Sequence, residues 1–143
     1  MSAPDSAVLD ALLRGTSRSF YLSLRLLPRS SAGALGLSYL LARASDTIAD
    51  TEVCPAERRL EHLVRFAEAL SAAERPGGEP EAERLCAPIA GDLTGLADNE
   101  SERRLLARLP ELVRAFAQLE PARRTSAGRC LATIIAGQRF DLE

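Results

Sequence analysis

Lysine and tryptophan are missing from this chain altogether, and aromatic residues are scarce, with two Tyr and four Phe in 143 positions. All 18 basic residues are arginines. We read this bias chiefly as the coding preference of a GC-rich genome, with phosphate binding as a lesser use of the guanidinium group. With so few aromatics, a core has to be built from Leu, Ala, Val and Ile. The only histidine is His62, so neither a His-based catalytic pair nor a zinc cluster can be assembled. Cys54, Cys86 and Cys130 are odd in number, far apart and without metal-ligand spacing. That usage points to buried or idle thiols in a reducing, cytoplasmic setting. The N-terminus has neither a basic start nor an apolar run and reads as no signal peptide. The longest nearly apolar run, Ala34 to Ala42, is far too short to span a bilayer. A net charge of −2, with acids and bases mixed along the chain, excludes the electrostatic footprint of a nucleic-acid binder.

What is present is helix-forming. The composition is 46% hydrophobic and 27% charged, ordinary for a globular domain and wrong for a disordered one, and the length of 143 residues suits one domain or a piece of a larger one. Apolar periodicity predicts a short helix from Ser6 to Arg14, then an apolar stretch from Phe20 to Leu27 that fits strand or helix and ends at Pro28. A long helix follows, with Ser30 or Ser31 as its cap. Pro55 stops it and opens the next helix, to Ala73, with Leu60, Leu63, Val64, Ala67 and Leu70 inward. Residues Arg75 to Pro80 are the clearest loop. A helix from Glu81 to Leu96 is expected to kink at Pro88. Ser101 is expected to cap a helix with Leu105, Leu109, Leu112, Val113 and Phe116 inward, either kinked or broken into two near Pro110. Pro121 opens a last helix, through Leu131, Ile134 and Ile135, whose pattern is still running at Glu143. The reading is all-α, with six or seven helices. Asp92 and Asp98 read as helix caps.

The stretch Tyr39 to Glu52 carries the candidate chemistry. Tyr39, Arg43, Asp46 and Asp50 are spaced by four, three and four residues, which stacks them on one helix face. Leu37, Leu40, Leu41, Ala44 and Ile48 fall on the other. Asp46 and Asp50, one turn apart, suit Mg²⁺, which keeps several waters and takes further ligands from substrate phosphates. Arg43 is placed to bind the same phosphate. The plainer alternative is an Arg–Asp pair on a solvated face, stabilising by a few tenths of a kcal/mol. Ser17, Arg18 and Ser19 form a second cluster, either phosphate ligands or a helix cap and linker. Tyr39 reads alternatively as a core phenol.

Taken together, these segments resemble the squalene/phytoene synthase family. The matching residues are Ser17-Arg18-Ser19-Phe20-Tyr21, then Leu-Arg-Leu-Leu-Pro at 24–28, then Tyr39, Arg43, Asp46 and Asp50, in order and at the family's separations. The Ser-Arg-Ser-Phe form and the segment Arg43 to Thr51 look closer to squalene synthases than to phytoene synthases. The resemblance implies the front half of an isoprenoid-synthase helical bundle. It also implies head-to-head joining of two farnesyl diphosphates through presqualene diphosphate, with NADPH consumed in the second half-reaction. On that pattern Asp46 and Asp50 hold Mg²⁺. Ser17, Arg18, Ser19 and Arg43 contact the diphosphate, while Tyr39 lies with Arg43 beside the reacting centre. Gly137 to Leu142 resembles the segment before the family's second Asp-rich motif, and no second D-x-x-x-D occurs in the chain. We therefore expect a truncated, N-terminal part of the domain, incomplete for catalysis unless a C-terminal half complements it. Alternatives are a phytoene-type synthase and a non-catalytic helical module that self-associates. An oily product leaves peripheral membrane contact open.

Overall fold

The structure, a computed structural model, describes residues 6–16 and 29–143. The Ser17, Arg18 and Ser19 cluster and the apolar stretch from Phe20 to Leu27 lie outside the described residues. Seven α-helices and no strand occur among the described residues, so the chain is all-α as its periodicity predicts. The helices are α1 (Ser6–Thr16), α2 (Arg29–Asp50), α3 (Ala56–Glu74), α4 (Glu79–Leu93), α5 (Glu100–Ala107), α6 (Leu109–Ala117) and α7 (Pro121–Leu142). A 3₁₀ turn, Thr94–Leu96, follows α4.

Helix α2 is the structural axis of the site, and its apolar back is buried as the spacing predicts. Leu40, Leu41, Ala44 and Ile48 have no exposed surface and Leu37 almost none. Burying each Leu or Ile side chain contributes roughly 1.5–3 kcal/mol. Polar residues on this helix satisfy themselves. Thr47 Oγ1 donates to the Arg43 carbonyl at 3.0 Å and Thr51 Oγ1 to the Thr47 carbonyl at 2.6 Å. These bonds let hydroxyls enter the interior without the cost of an unpaired group. Around α2 pack α7, α6, α3 and α1, while α3 packs mainly on α4. Phe66 and Phe116 are buried with no exposed surface in a core otherwise of Leu, Ala, Ile, Val and Cys.

Several boundaries differ from the expected ones, each for a local reason. Helix α2 begins at Arg29, so Ser30 and Ser31 lie inside its first turn instead of capping it. Pro55, with φ −56° and ψ 145°, occupies the N-cap of α3, one residue ahead of the first-turn position expected of it. On α3 the inward face is rotated to His62, Leu63, Phe66, Ala69, Leu70 and Ala73, leaving Leu60, Val64 and Ala67 half-buried. Helix α4 runs unbroken through Pro88. That proline and Arg84, whose carbonyl it leaves unpaired, are both on the exposed side, where water replaces the lost bond. Asn99, not Ser101, caps α5: its side chain accepts from the Glu102 amide at 2.9 Å. The break near Pro110 is present, and the proline sits in the first turn of α6, where its missing N–H costs nothing. At the α3–α4 turn Gly77 has φ +73°, and a Cβ on Gly78 would lie 1.8 Å from the Ala72 carbonyl oxygen, so only glycine fits there. No helix among the described residues is long and apolar enough to cross a membrane.

Candidate active site

Two helices from distant parts of the chain converge on the polar front of α2. Asp46 accepts from Gln138 of α7, Nε2 to Oδ1, at 2.7 Å. Arg43 donates from Nη2 to Oε1 of Glu102, in the first turn of α5, at 3.3 Å. Between Arg43 and Asp46 themselves the nearest approach is 4.0 Å, Nη1 to Oδ2. The side chains of Arg43 and Asp46 are 37% and 45% exposed, and that of Glu102 is 18% exposed. Asp50 is exposed and Tyr39 is half-buried against the core. The front of α2 is therefore a shelf at the surface, walled on two sides.

Electrostatics on the shelf are unbalanced. Partial burial raises the Asp46 carboxyl above its usual range, Arg43 and the Gln138 amide oppose that, and the Asp50 carboxylate adds to it. Arg43 Nε and Gln138 Oε1 are buried without a hydrogen-bond partner. Thr94 Oγ1, Arg114 Nε and Arg139 Nε are orphaned in the same way, so the pattern is not confined to the shelf. Among the described residues no cluster of three or more His, Cys, Asp or Glu could hold a metal. An all-protein metal cage is thus absent from the described residues. Two carboxylates one turn apart, with the rest of the sphere left to water and phosphate, fit the chemistry of Mg²⁺.

Sequence patterning singled out Tyr39, Arg43, Asp46 and Asp50, and the structure brings the last three onto one surface. It missed Glu102 as a partner and gave Gln138 no role. Neither is betrayed by local spacing, because their partners lie 59 and 92 residues away. Asp92, expected as a cap, sits instead inside the last turn of α4 and pairs across to α3. It accepts from Arg58 Nε at 2.6 Å and from His62 Nε2 at 2.7 Å. Arg65 can only donate, so its 3.1 Å contact makes His62 Nδ1 the acceptor and leaves the proton on Nε2. The bonds from His62 and Arg58 hold the Asp92 carboxyl below its usual range. A signal existed: His62, Phe66 and Ala73 share one helical stripe. Elsewhere a cleft of about 360 Å³, lined by Glu74, Pro76, Gln118 and Arg124 among others, shares no residue with the α2 shelf.

A sequence model of the squalene/phytoene synthase family matches residues 13–143, nearly the whole chain. The chain belongs to the squalene/phytoene synthase family. Among curated proteins it is similar to the phytoene synthases of Mycobacterium bovis and Mycobacterium tuberculosis. Each is 40% identical over 48 residues, a stretch covering 34% of this chain and 16% of the relative. The matched stretch is thus a small fraction of those relatives' length. No solved structure matches the chain. Membership of the squalene/phytoene synthase family makes the shelf on α2, with its aspartate pair, the first place to look for chemistry.

Proposed function

We infer that this chain provides the Mg²⁺–diphosphate wall of a head-to-head prenyltransferase of the squalene synthase type, acting on farnesyl diphosphate through presqualene diphosphate. One observation carries the reading: Asp46 and Asp50 lie on one surface, with Asp46 held short of full charge compensation by Arg43. Mg²⁺ bound there would neutralise the charge that builds on a departing diphosphate. Arg43, with its side chain 37% exposed, supplies a guanidinium donor to the same oxygens. Preorganised donors of this kind lower the barrier because they need not reorient as charge develops. Ser17, Arg18 and Ser19 add donors by the family pattern, and Tyr39 borders the reacting carbons. The leucine-rich back of α2 anchors the helix in the core and so fixes the position of the polar front. The second aspartate pair of the family pattern would have to come from outside these 143 residues. NADPH would serve only the later, reductive half-reaction of a squalene-forming enzyme.

A phytoene-type reaction on longer prenyl diphosphates is the second reading, favoured by the 40% identity to mycobacterial phytoene synthases. Titrating the protein with farnesyl and geranylgeranyl diphosphates, with and without Mg²⁺, tests both. Mg²⁺-dependent binding that Asp46→Asn plus Asp50→Asn abolishes supports the site, and the tighter-binding chain length selects the reaction type. Binding unchanged by the double substitution overturns the site and favours a helical interaction module.

A further inference from the structure

An arginine three residues before an aspartate on a helix ordinarily pairs with it, and such a pair would take Asp46 out of service as a cation ligand. Here that pairing is at its outer limit, 4.0 Å, and each partner is engaged elsewhere at shorter range. Arg43 turns its Nη2 to Glu102 at 3.3 Å. Among the described residues Asp46 takes its close bond, 2.7 Å, from the neutral amide of Gln138. Both outside groups are held from their own helices. Glu102 is three residues from its Asn99 cap, with its own amide bonded to the cap side chain. Gln138 stands on the face of α7 anchored by buried Leu131 and Ile135.

We propose that Glu102 and Gln138 are positioning residues: Glu102 draws the Arg43 guanidinium off Asp46, and Gln138 replaces it with a neutral donor that orients the carboxylate without cancelling its charge. The division leaves Asp46 Oδ2, whose nearest Arg43 nitrogen is 4.0 Å away, for a divalent cation. It rests on the reading of Asp46 and Asp50 as cation ligands.

The test is Mn²⁺ binding in the presence of inorganic pyrophosphate, followed by the electron paramagnetic resonance of free Mn²⁺. Glu102→Ala and Glu102→Gln are each made in the wild-type and Arg43→Gln backgrounds, with Gln138→Met as an independent arm. Thermal unfolding shows which variants fold. Glu102→Ala is expected to weaken Mn²⁺ binding roughly five- to tenfold, the size typical of coupled charged neighbours. Glu102→Gln, which keeps an acceptor oxygen for Arg43, should lose less. In the Arg43→Gln background, Glu102→Ala should change affinity by less than about twofold. Gln138→Met should weaken binding on the scale of a lost charge-assisted bond, roughly tenfold. If Glu102→Ala does not fold, Glu102→Gln and Gln138→Met decide the matter. Equal losses for Ala and Gln, or a loss that persists without Arg43, would mean that Glu102 acts only through its charge and would overturn the proposal while leaving the cation site standing. Wild-type protein whose Mn²⁺ binding is insensitive to Asp46→Asn plus Asp50→Asn would overturn the site itself, and the clamp with it.

Discussion

Two aspartates on the surface of this bundle, Asp46 and Asp92, meet arginine and a neutral donor in opposite ways. Asp92 is paired, with an arginine and a histidine bonded to one oxygen at 2.6 and 2.7 Å. Its carboxyl is held low by those bonds. Among the described residues Asp46 has one close bond from an uncharged amide, an arginine held at 4.0 Å and a second carboxylate one turn away. Its carboxyl is pushed up. The Asp92 cluster joins α3 to α4. The Asp46 shelf is deficient in positive charge, and that deficiency is what a cation would remove. Residue type alone does not separate a brace from a site; the state of satisfaction does.

The contrast can be broken from either side. The largest effect should come from Asp46→Asn plus Asp50→Asn. Calorimetry should show Mg²⁺-dependent prenyl diphosphate affinity falling by about 100-fold, or about 2.7 kcal/mol. Denaturant unfolding should find the stability of the same variant unchanged within about 0.5 kcal/mol, because no saturated partner is lost. His62→Ala should behave conversely. Removing a buried ring and two hydrogen bonds should destabilise the fold by roughly 2–3 kcal/mol, with ligand affinity of the folded fraction unchanged.

A smaller effect separates the two in acid. Because the folded value of Asp92 lies below the unfolded one, its contribution is fully present above the ordinary carboxylate value of 3.8 and is lost as pH falls through the folded value. The stability difference between wild type and Asp92→Asn should therefore be constant at neutral pH and shrink below about pH 4 in urea titrations. Thiol reactivity gives the mildest contrast. Burial pushes the Cys86 thiol up to about 12, and burial together with the Asp92 charge raises that of Cys54. With a disulfide reagent only the exposed Cys130 should react promptly, and His62→Ala should speed labelling of Cys54 before that of Cys86.

Much of this architecture can be read from the chain itself. Leu37, Leu40, Leu41, Ala44 and Ile48 fall on one side of α2 because helical periodicity is a local property, and the break at Pro110 follows from a missing amide. The same locality places Arg43, Asp46 and Asp50 together. What the pattern could not supply is everything that depends on which helix comes to lie beside which. Asn99 won the cap over Ser101 because its side chain reaches the Glu102 amide from an extended backbone. The α3 stripe turned to bury His62 because Asp92 of a neighbouring helix was there to receive it. Glu102 and Gln138 are ordinary surface residues until α5 and α7 bring them against α2.

One bond pair at the end of α2 offsets the charge of its final turn. Arg59 of α3 reaches back to the carbonyls of Ala49 and Cys54, at 2.6 and 2.9 Å, and so covers the final turn just behind Asp50. That turn is the negative pole of a 22-residue helix, where carboxylates are least welcome. Arg59 offsets the pole from behind and leaves its front negative. On the proposed function, a cation held by Asp46 and Asp50 would offset the same pole from the front.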